Sequence, residues 1–245
     1  MAESYHQEPW YLLSSLDRAA SIELMEAVLA GGVEREQVFR DNWRTLSAQV
    51  RFHDQSLLLK VPRARNGRRW ERLLTWFRGS DAVRSFRHLE LMARMGFEVP
   101  APVLACERRQ GGFVTDSFLC YRFVEGRRAG ADDAPQVLAA LRDLHQKGYL
   151  RTDAQIANFL VSGNKIVFID FRLKKPRFLP ALQKARELDR FIRSCPEART
   201  SLTPGEASSR WLWLASRLED AGFAVRRFKR QFRDRRKQRK TGQDR

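Results

Sequence analysis

Apolar positions follow a strand pattern from residue 38 to 61, with short runs at 38–39, 45–52 and 56–61 and with His53, Asp54 and Gln55 as the hairpin connection. The spacing then lengthens. Residues 68–77 and 82–95 read as helices, the second placing Val83, Phe86, Leu89 and Ala93 on one face and stopping at Gly96. Residues 99–102 turn the chain into further strands at 103–107 and 113–123, joined by Gly111 and Gly112. Upstream, the helix-like stretch 21–29 ends at Gly31 and Gly32, which predicts a helical extension packed on the domain.

After Glu125 and Gly126 the chain is polar and rich in turn formers from 127 to 135, as a linker would be. Residues 137–147 then carry Val137, Leu138, Leu141, Leu144 and His145 at helical spacing, with Gly148 as the stop. Two short apolar runs flank a turn at Gly163 and Asn164, and helices are predicted at 184–193 and 208–221. The organisation expected is a helical extension at 1–32, a small antiparallel-sheet lobe at 33–126, a short, mostly helical lobe at 127–225 and a basic tail at 226–245. The fold class is α+β.

The chemistry concentrates in LRTDAQIANFLVSGNKIVFIDF, residues 150–171. Asp153 and Asn158 stand five apart, and Asp170 follows an apolar run. In a protein-kinase catalytic loop D-x-x-x-x-N supplies an Asp that orients the acceptor hydroxyl and an Asn that binds magnesium, and a later strand-end Asp binds the bridging metal. A hard cation takes oxygen ligands, and the attacking hydroxyl needs a carboxylate nearby. Taken singly, Asp153 also reads as a helix cap, Asn158 as a turn residue and Asp170 as a strand terminator. The order of helix, loop, hairpin and Asp is that of a kinase large lobe, so the expected fold is protein-kinase-like and two-lobed.

Lys60 closes the apolar run 56–59, where a kinase uses a lysine to hold the α- and β-phosphates; the alternative is an edge lysine in solvent. That lysine needs a helix glutamate. Glu90 is the one acid within 82–95 and shares a face with Phe86, so it either holds Lys60 or faces water. No glycine lies between Val38 and Lys60, so a glycine-rich phosphate loop is absent, which points away from a standard protein kinase. Arg63, Arg65, Arg68, Arg69 and Arg72 form either a solvated charge run or a dock for an anionic acceptor.

The chain of 245 residues is 43% apolar, as a globular protein is, and carries a net charge of +17. From Arg226 to Lys240 there are ten basic residues and one acid, Asp234, so an anionic partner is expected for the tail. The start has Glu3 and Glu8, no basic head and no long apolar segment, which excludes a secretory signal or membrane span there and predicts a cytoplasmic protein. Cys106, Cys120 and Cys195 have no paired spacing and read as packing thiols.

Three stretches carry a family resemblance: VFRDNWRTLSAQVRFHDQSLLLKV at 38–61, RWERLLTWFRGSDAVRSF at 69–86 and LHQKGYLRTDAQIANFLVSGNKIVFIDF at 144–171. Through them the sequence resembles the lipopolysaccharide core heptose kinases, most closely the heptose(II) kinase family of Gram-negative bacteria. The resemblance spans roughly 38–193 and the basic ending. It implies a protein-kinase-like fold that moves the γ-phosphate of ATP, with Mg²⁺, to a heptose hydroxyl of the inner core. By position, Asp153 is the catalytic Asp, Asn158 and Asp170 the magnesium ligands and Lys60 the phosphate-binding lysine. It also implies work on the cytoplasmic face of the inner membrane, against lipid-anchored core, where the tail would meet acidic headgroups. Arg151 and Thr152 depart from the residues usual before the catalytic Asp, Asp170-Phe171-Arg172 lacks the usual glycine, and related kinases place the helix glutamate near Ser85.

Within the kinase reading, another sugar or a peptide hydroxyl is the alternative acceptor, and two other classes fit part of the pattern. A non-enzymatic pseudokinase or scaffold would keep the lobes, but the joint presence of Lys60, Asp153, Asn158 and Asp170 argues against it. A nucleic-acid module would use the tail electrostatically, but no nucleic-acid motif accompanies the charge.

Overall fold

Strand-forming runs at both ends of the first half of the chain find each other over long sequence distances in the computed structural model, which describes residues 2–63, 75–76 and 78–241. The chain divides into two compact units, Met1–Arg127 with Phe159–Arg172, and Arg128–Asn158 with Leu173–Arg245.

The first unit is built on a seven-stranded sheet. Its strands are β1 (Glu3–Gln7), β2 (Trp10–Ser14), β3 (Glu34–Asp41), β4 (Leu46–Phe52), β5 (Gln55–Val61), β6 (Pro102–Gln110) and β7 (Phe113–Arg122), in the spatial order β1-β2-β6-β7-β5-β4-β3 with every pairing antiparallel. Residues 1–32 therefore differ from the helical extension expected. Helix α1 (Arg18–Leu29) is present, its N-terminus capped by Asp17, which accepts from the Ala20 amide at 2.9 Å. Ahead of it β1 and β2 extend the sheet, because Leu12 and Leu13 lie against Cys106 and Ala105 of β6 and bury their side chains there. Alternate residues of the strands, among them Leu12, Val50, Leu57, Leu104, Cys106, Phe118 and Cys120, form the core with Leu24 of α1. Fully burying each large apolar side chain contributes roughly 1.5–3 kcal/mol. The three cysteines are free and buried, and burial pushes the Cys120 thiol up to about 12.

Helix α2 (Asp81–Arg94) buries Val83, Phe86 and Leu89 as its spacing predicts, but Met92 completes the buried stripe and Ala93 is exposed; Ser80 caps the helix by accepting from the Val83 amide. The expected helix at 68–77 and the basic group Arg65, Arg68, Arg69 and Arg72 lie outside the described residues, apart from Thr75 and Trp76. Arg63 is described and pairs with Asp41. The hairpin of β10 (Phe159–Ser162) and β11 (Lys165–Phe168) also belongs to this unit, tied by Phe168 N–H to the Glu98 carbonyl at 2.9 Å. Gly126, just before the short strand β8 (Arg127–Arg128), runs so close to that hairpin that a Cβ there would sit 2.7 Å from the Val161 carbonyl oxygen. Gly126→Ala is expected to cost about 1–3 kcal/mol through this clash with backbone, read as a drop in the denaturation midpoint.

The second unit is mainly helical: α3 (Ala134–Gln146), α4 (Pro180–Ser194), the single turn α5 (Pro204–Ala207) and the long α6 (Arg210–Thr241), with β9 (Leu150–Arg151) pairing β12 (Leu173–Lys174). Helix α3 ends where the sequence predicts, Gly148 taking φ +81° while Tyr149 N–H bonds the Leu144 carbonyl. Arg142 of α3 grips Glu206 of α5 at 2.7 and 2.9 Å. That bond lowers the Glu206 carboxyl to about 2, against burial, and the Thr203 amide adds to the lowering. A carboxylate with a depressed folded pKa stabilises above its ordinary value of 4.5 and loses that contribution as pH falls toward 2. Acid titration of wild type against Glu206→Gln should show the wild type losing stability in that window while the variant's slope flattens.

Candidate active site

In the first unit Lys60 and Asp170, 110 residues apart, come together, with Nζ donating to Oδ1 at 3.1 Å. Strand β5 points Lys60 to one face because Leu57 and Leu59, on the other, fill the core. Its direct neighbour across β7 is Leu119, and the residue two further along the same face is Tyr121. The Tyr121 ring centroid lies 5.6 Å from Nζ. Burial opposes charge on Lys60, but Tyr121 and Asp170 outweigh it and raise the ammonium above its ordinary range. Burial in turn pushes the Tyr121 phenol up. The ammonium is therefore charged at neutral pH, as a group that holds phosphate must be.

Asp170 follows the end of β11 in the left-handed region, φ +51°, a conformation Asp tolerates better than most residues. Its side chain is 68% exposed, so the carboxylate is open to a ligand as well as to Lys60. Two residues on, Arg172 reaches Asp81 at the start of α2, at 3.1 Å. Asp81 also stands 3.6 Å from Arg84. Sequence reasoning missed this pair; an acid at the first position of α2 reads as complementing the helix dipole. Glu90, the residue expected to hold Lys60, instead lies 3.4 Å from Arg94 on the next turn, while Lys60 bonds Asp170. Asp81 thus ties α2 to the segment that follows Asp170. In any transfer that depends on the Asp170 segment, Asp81→Asn is expected to lower the rate up to roughly fivefold, the worth of a part-exposed ion pair, whereas Arg84→Ala leaves it unchanged.

In the second unit the Asp153 segment is held by backbone bonds to one face of α4. Glu187 accepts from Arg151 N–H at 3.0 and 3.2 Å, Arg190 Nη1 donates to the Thr152 carbonyl at 2.6 Å, and Ser194 Oγ accepts from Ile156 N–H at 3.0 Å. These three occupy i, i+3 and i+7 of the helix, which is one face. Glu187 also meets His145 Nε2 of α3 at 3.1 Å. Arg151 is 2% exposed and its guanidinium donates to the Asn158 carbonyl at 3.3 Å, closing the loop on itself. Inside it, Asn158 Nδ2 donates to the Asp153 carbonyl at 3.0 Å. The Asp153 carboxylate accepts from Gln155 Nε2 at 3.0 Å and stands 3.4 Å from Asn158 Nδ2. With its nitrogen committed, the Asn158 side chain offers an oxygen, the atom a hard cation takes.

Among the described residues no group of three or more His, Cys, Asp or Glu could hold a metal alone. Asp170 in the first unit offers a carboxylate and Asn158 in the second an amide oxygen, each a donor type that Mg²⁺ takes beside waters and phosphate oxygens. Each donor by itself fits a magnesium ion in that respect, and in the first unit a charged lysine at the end of β5 fits phosphate oxygens.

No protein-family model and no curated protein matches this chain. Solved structures do. The structure of WaaP in complex with acyl carrier protein superposes with a TM-score of 0.52 at 18% identity, covering 85% of this chain and 90% of that one. The Mycobacterium tuberculosis PknI kinase domain, C20A mutant, superposes with a TM-score of 0.41 at 16% identity over 67% of this chain and 75% of that one. The mixed α and β elements, the antiparallel sheet and the first of these superpositions show that this chain has a protein-kinase-like fold.

Proposed function

We propose that this chain is a Mg²⁺·ATP-dependent kinase whose acceptor is a heptose hydroxyl of the lipopolysaccharide inner core. The observation that carries the reading is the Lys60–Asp170 pair at 3.1 Å, which joins a strand-end cation to the carboxylate that follows the hairpin. Lys60 would hold phosphate oxygens, and Asp170 and Asn158 would take the metal through oxygen. Bound magnesium nucleotide would supply the phosphoryl group and neutralise charge on the leaving phosphates. Asp153 would orient the acceptor hydroxyl and receive its proton, which asks for a fixed carboxylate; the bonds from α4 to residues 151–156 supply that fixity.

The acceptor class rests on the sequence resemblance over roughly 38–193. The basic run from Arg226 to Lys240 supports a lipid-anchored acceptor at the acidic cytoplasmic face of the inner membrane. No described helix is long and apolar enough to cross a membrane, and the reading takes the attachment as peripheral. WaaP is in complex with acyl carrier protein in its structure, which makes that protein a component to include in the assay.

The test is transfer of labelled phosphate from Mg²⁺·ATP to lipopolysaccharide purified from cells lacking this protein. Transfer by wild type, with the label on a core heptose, is the expected result. ATP binding without transfer to any core sugar would overturn the acceptor and favour a pseudokinase. Failure to bind ATP would overturn the nucleotide site.

A further inference from the structure

Helix α6 carries exposed apolar side chains on a surface that is otherwise largely polar. Its inner face is fixed to α4: Ala215 and Glu219 are buried, Glu219 bonds Arg186 at 2.6 Å, and Arg193 donates to the Ser216 carbonyl at 3.1 Å and pairs with Asp220 at 2.8 Å. On another face Leu218, Val225 and Phe228 are 44, 52 and 66% exposed, and Ala221 is exposed between them. The steps 218, 221, 225 and 228 alternate three and four, so the four residues form one continuous stripe. The same spacing reaches Phe232 in the sequence and then Arg235 and Arg239, where the stripe passes into the basic run.

Two kinds of partner could cover a stripe with this spacing, a second copy of the helix or a lipid surface, and charge separates them. In a paired helix the flanking positions would be Arg217, Ala224 and Gln231 on one side and Gly222, Lys229 and Arg236 on the other. Three cations and no acid there make self-pairing repulsive. An anionic bilayer reverses the sign: the cations find headgroup phosphates while the apolar stripe leaves water. A helix that is polar and basic over most of its surface, yet carries one apolar stripe, suits the interface plane rather than a crossing of the bilayer.

We propose that Leu218, Ala221, Val225 and Phe228 are the insertion face of an in-plane helix that docks the second unit on an anionic bilayer, the basic run from Arg226 onward engaging the headgroups. The choice of a bilayer rests on the lipid-anchored acceptor proposed above. What is new is that attachment begins inside the folded unit, at Leu218, and uses insertion. Because the inner face of α6 is bonded to α4, and α4 also holds residues 151–156, docking would fix the orientation of the Asp153 loop to the membrane plane rather than tether it loosely.

The test uses the full chain labelled at Ala221→Cys with an environment-sensitive fluorophore, the native thiols being buried, and vesicles of phosphatidylcholine with or without phosphatidylglycerol. The expected result is a blue shift on anionic vesicles, quenching by acyl-chain quenchers, and about a tenfold loss of partitioning in Val225→Glu with unchanged helicity. Binding that salt fully reverses, with no blue shift and no effect of Val225→Glu, would overturn insertion while leaving the tail's electrostatic attachment standing. No binding of unlabelled wild type to either vesicle would overturn both. A blue shift without vesicles that grows with protein concentration would assign the stripe to a second copy. Transfer to detergent-dispersed acceptor is measured alongside and reports on the kinase reading independently of all these outcomes.

Discussion

Asp170→Ala is expected to lower phosphate transfer by at least roughly a thousandfold, about 4 kcal/mol of barrier, while leaving the melting temperature within about 3 °C of wild type. The two halves of this expectation come from one geometry. The Asp170 side chain is 68% exposed, so its end of the bond is screened by water although Lys60 is largely buried, and little folding free energy is lost with Asp170. Its worth in the proposed reaction would lie in chemistry, where a carboxylate that holds magnesium would act on charge that develops only in transfer. Asp153→Ala should also fail in kcat, by roughly a hundred- to ten-thousandfold, the range for a lost general base. Nucleotide affinity separates the two: Asp170→Ala should weaken Mg²⁺·ATP binding and Asp153→Ala should not. Full activity in Asp170→Ala, measured as label transferred to the acceptor, would end the kinase assignment of this carboxylate.

What the sequence made legible was whatever is local. Strands β4 and β5 and helix α2 each carry their own periodicity, and the loop from Asp153 to Asn158 closes within five residues, so the bond from Asn158 to the Asp153 carbonyl is implicit in the spacing. What it hid was long-range pairing. The first strands join the sheet through β6, some ninety residues on, and a short run such as WYLLS states no partner. Lys60 was visible as a strand-end cation, but the acid it bonds stands 110 residues away, while the helix acid expected beside it, Glu90, lies against Arg94. Glu90 shares a face with Phe86 yet lies where Arg94, a turn along, reaches it first. Acids that are buried read on a sequence like acids that are solvated. Glu187 and Glu107 are the clearest cases, at 6 and 3% exposed.

Glu187 supplies the largest expected loss of stability. Its carboxylate is the acceptor for a buried backbone amide, Arg151 N–H, and for a buried imidazole, His145, which lie on separate elements. Truncation to alanine would leave both donors without that acceptor in a site that water does not reach, at about 1–3 kcal/mol for each. A total near 3 kcal/mol lowers the melting temperature by roughly 6–12 °C for a protein of this size. Glu187→Gln keeps an oxygen for the Arg151 amide and gives up the charge, so it should fall between the two. The same pair of variants separates support from catalysis. Arg151 lies two residues before Asp153, and the bond from its amide is the first of three that set the loop on α4. At a temperature where Glu187→Gln is fully folded, kcat should still drop several-fold with KM for ATP unchanged, because the loop has lost an anchor and the first unit's Lys60 and Asp170 have not. A variant that melts early yet keeps wild-type kcat when folded would make Glu187 a matter of stability alone and leave Arg190 and Ser194 to hold Asp153 in place.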